Sequence, residues 1–175
     1  MKKKVNKKKG IVFWIEGFSG SGKSTISKLI TKKLSKEYGQ TLLLSGDILR
    51  KFFNKKGYSK KDRINNSYKF SEFLKYITNQ GVNVVYSVVC LNNSARLIYQ
   101  KKLDNLIIIY LKSDIYKIIK LKKKSKVYNN KMNILGIDIK PDYPKKPDII
   151  IHNKFDKNNL KILSIELLKK INKIL

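Results

Sequence analysis

The sequence predicts an α/β fold in which a parallel sheet carries helices on both faces. Three observations predict it. Short, continuous apolar runs at residues 11–16, 41–44, 82–89, 106–111 and 149–151 alternate with longer segments of helical periodicity. These runs lack the in–out alternation of a strand with one wet face, so they belong to a five-stranded sheet covered on both sides. Between the first run and the first helix lies Gly17-Phe18-Ser19-Gly20-Ser21-Gly22-Lys23-Ser24-Thr25, which fits the phosphate-loop (P-loop, Walker A) pattern G-x-x-x-x-G-K-[ST] at every fixed position.

Each element has a local reason. Residues 1–10 (MKKKVNKKKG) read as a flexible basic tail, and 11–175 as one domain. A helix follows the loop from Ser24 to Tyr38, and Gly39 ends it. After the second strand, Ser45-Gly46-Asp47 leads into a short helix at 48–54. Ser59 with Asp62 forms a capping-box pattern that opens a helix reaching about residue 79. Residues 94–103 and 113–122 read as further helices, the second capped by Ser113 or Asp114. Residues 123–148 hold Gly136 and all three prolines, and read as a loop or lid. Residues 158–175 form a closing amphipathic helix.

The loop carries chemistry. Its glycines let backbone N–H groups turn inward, and the next helix adds its positive end at the same place. Lys23 then reaches the outer phosphates of a nucleoside triphosphate, and the Ser24 hydroxyl can hold magnesium. ATP and Mg2+ are therefore the expected cofactors.

Composition narrows the rest. No apolar run approaches the ~20 residues of a membrane span. The N-terminus lacks the apolar region and cleavage site of a signal peptide. A lone cysteine, Cys90, leaves no intrachain disulfide and no cysteine metal cluster. The expected compartment is the cytoplasm, with no membrane partner. A net charge of +28 invites a nucleic-acid reading, but it comes almost wholly from lysines scattered over every predicted helix. Solvated surface is the favoured account, and no nucleic-acid partner is expected. The remaining rival is a nucleotide-dependent nucleic-acid-binding protein, which a steep salt dependence of duplex binding would reveal.

Only three arginines occur, Arg50, Arg63 and Arg96. In such a lysine background a guanidinium marks places where a point charge does not serve. Arg50 and Arg63 stand near the carboxyl edge of the sheet, where each could clamp a second anionic substrate or form a surface ion pair. Asp47 leaves a strand end and could accept a proton from an attacking hydroxyl, hold a magnesium water, or cap the next helix. Tyr58 is placed for a ligand, whereas Phe52 or Phe53 reads as core and Phe18 as loop packing. His152 reads as core or surface, and Cys90 as a buried small residue.

These pieces together resemble the adenylyl-sulfate kinases. Residues 13–25 are similar to W-[IL]-T-G-L-S-G-S-G-K-S-T, and Ser45-Gly46-Asp47-Ile48-Leu49-Arg50 to D-G-D-x-[IVL]-R. Gly57-Tyr58-Ser59 with Asp62, Arg63 and Asn66 resembles G-F-S-x-x-D-R-x-x-N. Gly136-Ile137-Asp138 with Pro144 and Pro147-Asp148 resembles the lid pattern G-I-D…P-x-x-P-[DE]. The resemblance implies a P-loop NTPase fold and transfer of the γ-phosphoryl group of ATP to the ribose 3′-hydroxyl of a small nucleotide. It implies that Asp47 orients magnesium and the hydroxyl, that Arg50, Arg63 and Asn66 touch the acceptor, and that Tyr58 stacks on its base.

The departures lie mainly on the acceptor side. Ser45 replaces an Asp, Tyr68 and Lys69 replace paired arginines, and Cys90-Leu91-Asn92-Asn93 stands near I-S-P-Y-R. Tyr128-Asn129-Asn130 replaces Y-K-K, and Ile134 replaces the second aromatic of a base clamp. Fewer cations and one aromatic suit a smaller, less anionic nucleotide. Cytidine diphosphoramidate kinases resemble this family and take a pyrimidine nucleotide, so cytidine diphosphoramidate is slightly favoured, with adenylyl sulfate the alternative. A homodimer is compatible with the sequence but is not read from it.

Overall fold

The computed structural model describes residues 3–121, 127–128, 132–155 and 159–175. Its strands are β1 (Val12–Glu16), β2 (Thr41–Ser45), β3 (Asn83–Val88), β4 (Leu106–Ser113) and β5 (Ile149–Asn153). Its helices are α1 (Lys23–Tyr38), α2 (Gly46–Phe52), α3 (Lys60–Asn79), α4 (Asn93–Lys102), α5 (Ile115–Lys120) and α6 (Asn159–Ile174). The strands form one five-stranded sheet in the order β2-β3-β1-β4-β5. Every neighbouring pair is parallel.

The sheet is covered on both faces, as its apolar runs require. On one face Phe13, Ile15, Ile107, Ile109 and Ile151 meet Ile26, Ile30 and Leu34 of α1 and Leu163, Leu167 and Ile171 of α6. On the other, Val12, Trp14, Val84 and Tyr86 meet Phe70 and Leu74 of α3 and Ala95 and Tyr99 of α4. A third apolar cluster lies toward the carboxyl edge. It joins Phe18 to Leu91, Tyr110, Ile118, Tyr128, Ile134 and Leu135.

Caps set several boundaries. The Ser59 hydroxyl accepts from the Asp62 amide (3.1 Å), and the Asp62 carboxylate accepts from the Ser59 amide (3.0 Å), closing the expected capping box. Asp114, rather than Ser113, caps α5. The helix expected at 48–54 begins earlier, at Gly46, because the Ser45 hydroxyl caps it by accepting from the Ile48 amide.

The basic segment read as a flexible tail is tied to the body along residues 3–10. The Lys3 amide donates to the Ile174 carbonyl, and its ammonium reaches Asp148 and the Leu106 carbonyl. The Asn6 amide donates to Asn105, whose own amide group returns to the Asn6 and Lys9 carbonyls. These contacts centre on the buried Asn105 and join the segment to the entrance of β4. No helix among the described residues is long and apolar enough to cross a membrane.

The order of strands places the site. From β1 the chain crosses to the edge strand β2, returns to β3 between them, and then passes to β4 and β5 on the other side of β1. Sheets of this kind open a crevice at the carboxyl ends, where the winding direction changes. The bend after β1 lies in that crevice.

Candidate active site

The bend from β1 into α1 is built from close backbone approaches. Gly20 and Gly22 take φ of 78° and 97°, which residues with a Cβ adopt only at a cost. At Gly17 a Cβ would stand 2.7 Å from the Leu111 carbonyl oxygen, so the loop lies flat against β4. No side chain caps α1. The first amides of that helix are thus left for an external anion, which the helix dipole also favours.

Side chains from distant segments pin this bend. Asn153, at the end of β5, donates to the Ser21 carbonyl (2.9 Å). The Tyr128 hydroxyl donates to the Ser19 carbonyl (2.7 Å). The Lys23 ammonium folds back and donates to the Phe18 carbonyl (2.6 Å). Lys23 is buried, yet it borders the cavity that opens in front of the loop.

That cavity, of about 860 Å³, brings most of the expected site together. Ser19, Gly20, Lys23 and Ser24 border it on the loop side. Asp47, Arg50, Tyr58, Arg63 and Ile134 border it elsewhere. Gly17, Phe18, Ser21, Gly22 and Thr25 are not on its lining. Phe18 is buried and packs edge-on to Tyr143. Asn66 is buried within α3 and does not reach the cavity wall.

Two open choices about Asp47 and the arginines narrow here. Ser45 takes the cap of α2, so the Asp47 carboxylate is released from that duty. It is well exposed and accepts from the Arg50 guanidinium one turn later. Arg50 in turn lies over the Tyr58 ring, 4.6 Å from its centre, and among the described residues its buried Nε has no hydrogen-bond partner. Carboxylate, guanidinium and ring therefore stand in one stack on the cavity wall.

Arg63 is used differently. Its Nε donates to the Tyr58 carbonyl (2.9 Å), and its two terminal nitrogens to the Val89 and Asn133 carbonyls (2.7 and 3.2 Å). The planar fork joins three segments at once, which an ammonium could not do. Burial lowers its pKa from the usual value. Some of its N–H groups remain for a ligand, since a guanidinium carries five.

Sequence reasoning missed a buried pair beneath the loop. Glu16, fully buried, accepts from Arg96 at 3.1 and 3.2 Å. Arginine scarcity pointed as much to Arg96 as to the other two, but nothing local linked it to residue 16. Burial raises the Glu16 pKa from about 4.5 to about 7, with Arg96 pulling it back only part of the way. Cys90 is buried and its thiol is pushed up to about 12, so it stays protonated and inert. His152 is exposed on edge strand β5. Among the described residues no group of three or more His, Cys, Asp or Glu is placed to hold a metal.

The adenylylsulphate kinase family model matches residues 9–152, and the chain belongs to that family. It is 30% identical to the cytidine diphosphoramidate kinase of Campylobacter jejuni over 91% of this chain and 95% of that one. It is 31% identical to the adenylyl-sulfate kinase of Clostridium acetobutylicum over 89% and 80% of the two chains. Among solved structures, the APS kinase of Mycobacterium tuberculosis in complex with AMPPNP and APS superimposes with a TM-score of 0.81 at 21% identity, covering 94% and 98% of the two chains. Shikimate kinase from Acinetobacter baumannii shares the fold more distantly, with a TM-score of 0.63 at 14% identity over 94% of each chain. The chain is thus an α/β P-loop kinase related to adenylyl-sulfate kinases.

The raised Glu16 pKa has a measurable consequence. Between about 4.5 and about 7 the native state holds a proton that the unfolded chain has released. Its stabilising contribution is complete below that window and is lost as pH rises through it. Urea midpoints should fall from pH 5 to pH 8, and Glu16→Gln should flatten that slope. An equal slope in the variant would assign it to other groups.

Proposed function

We propose that this kinase transfers the γ-phosphoryl group of ATP to the ribose 3′-hydroxyl of a small nucleotide, with cytidine diphosphoramidate preferred over adenylyl sulfate. One observation carries the reading: a single cavity runs from the phosphate loop to the wall of Asp47, Arg50 and Tyr58. Donor and acceptor would then meet in one shared space. That is what phosphoryl transfer requires, since positioning and electrostatics supply most of its catalysis.

The residues divide the work. The loop amides and Lys23 would hold the triphosphate and stabilise charge on the transferring group. For that, the Lys23 ammonium would turn from the Phe18 carbonyl toward the phosphates. Asp47, free of capping, would orient the acceptor hydroxyl and take its proton. Arg50, on the cavity wall, and the remaining N–H groups of Arg63 would grip the acceptor's anionic linkage.

The Ser24 hydroxyl and the Asp47 carboxylate both border the cavity, and both are hard oxygen donors of the kind magnesium takes. Two protein ligands fit an ion that arrives with ATP and keeps several waters. When bound, it would neutralise charge on the β- and γ-phosphate oxygens.

The choice of acceptor rests on the wall, since the two kinds of relative stand at 30% and 31% identity. Tyr58 is the one aromatic bordering the cavity among the described residues, and Ile134 is aliphatic. Stacking on each base is worth ~1–3 kcal/mol, so one aromatic face suits a small pyrimidine better than a purine that expects a sandwich. The C. jejuni relative, matched along nearly its full length, carries the name of that reaction.

Purified protein with ATP and magnesium should release ADP faster with cytidine diphosphoramidate than with adenylyl sulfate, and the reverse order would assign the purine nucleotide. Lys23→Ala should lower kcat by ~10²–10³-fold in a folded protein, and undiminished turnover would remove the loop from the reaction. Asp47→Asn should lower kcat by ~10²–10⁴-fold with little change in ATP affinity. A loss confined to ATP binding would restrict Asp47 to holding the metal.

A further inference from the structure

Beneath the phosphate loop, four segments meet in a partly buried ring of polar contacts. Glu16, the last residue of β1, accepts from Arg96 of α4 at 3.1 and 3.2 Å. The other terminal nitrogen of Arg96 donates to the Asp142 carbonyl. The Asp142 amide donates to the Leu91 carbonyl (2.8 Å). The Leu91 amide faces the Glu16 carboxylate and favours its charged form, which completes the ring. Both charged side chains are at least nine-tenths buried. Leu91 itself sits at φ 33°, a conformation that a leucine keeps only when its surroundings hold it.

The ring touches both halves of the site. Gly17 follows Glu16 directly, and Tyr143, next to Asp142, meets the loop residue Phe18 edge-on at 6.2 Å. On the acceptor side, Arg63 holds the Val89 carbonyl, two residues before Leu91. The turn at 89–92 is therefore gripped from below by Glu16 and from the cavity by Arg63. A lone buried ion pair seldom adds much stability over apolar packing. What this pair provides is a fixed spacing between elements distant in the chain.

We propose that Glu16 and Arg96 are positioning residues for phosphoryl transfer, holding the turn at 89–92 and the segment at 139–143 in register with the phosphate loop. The inference rests on the kinase reading above and adds a role for a pair that touches neither substrate.

The groups facing Glu16 are Arg96 from α4, Cys90 and the Leu91 amide from the turn after β3, and Tyr110 from β4. Burial pushes Cys90 and Tyr110 up to about 12 each, so both stay neutral near pH 7. Glu16 is then the member of this cluster whose charge changes in that range, and its protonation strips Arg96 of its counter-charge.

Glu16→Gln keeps the shape and removes the charge, while Arg96→Lys keeps the charge and removes the fork. Three readouts on the full-length protein decide the matter: ATP affinity by calorimetry, kcat and acceptor KM across pH 6–9, and amide exchange with and without ATP. Misregister of about 1 Å can cost ~100-fold in rate, so kcat should fall ~10–100-fold at unchanged ATP affinity, with Arg96→Lys the milder variant. The acid-side fall in wild-type kcat near pH 7 should be missing from Glu16→Gln. Amide exchange should rise at 89–92 and 139–143 and not in β1 or α1. Variants that melt earlier yet keep wild-type kcat would reduce the pair to a structural role and overturn the proposal. Should wild-type protein turn over neither acceptor, the acceptor assignment fails. The exchange data then decide the pair alone: a rise confined to the two segments supports it, and no rise overturns it.

Discussion

Every group at the carboxyl edge of the sheet is placed relative to one backbone bend, residues 17–22. That bend must present its amides outward while its own carbonyls find partners, and it cannot do so alone. Its carbonyls are taken up by Lys23 of α1, Asn153 of β5 and Tyr128, which lies between α5 and β5. Its base is set on β4 by the contact that forbids a Cβ at Gly17. Because unpaired buried carbonyls are costly, these contacts make the loop a fixed receptor and not a mobile turn.

The cavity wall carried by α2 and the start of α3 follows the same economy with different residues. Ser45 caps α2, which frees Asp47, and Arg50 then links Asp47 to the Tyr58 ring. Arg63 spends its fork on three carbonyls, so it shapes the wall as well as bordering it. The departures from the family pattern gain a physical sense here. A serine in place of the first acidic residue of D-G-D is a good cap, and it removes one negative charge from the cavity lining.

Scarcity of arginine proved informative in a way that its sequence positions hid. Each of the three guanidiniums joins two or more groups at once: a carboxylate and a ring, three carbonyls, or a carboxylate and a carbonyl. Lysine, by contrast, supplies the dispersed surface charge. The +28 net charge and the chemistry of the site are thus carried largely by different residue types.

Much was legible from the chain itself. Continuous apolar runs announced a parallel sheet buried on both faces, and glycine spacing announced the phosphate loop, because both depend on local stereochemistry and short-range pattern. Capping residues fixed α3 for the same reason. Packing decided the rest. Only the folded chain shows that Ser45, not Asp47, caps α2, that Asn66 lies away from the cavity, and that residues 3–10 are held by Asn105 and Asp148. Only it joins Glu16 to Arg96 across 80 positions of sequence. Such contacts have no periodicity to read: they arise where separate elements meet, and which polar groups pair there depends on which are left without water once the sheet has closed.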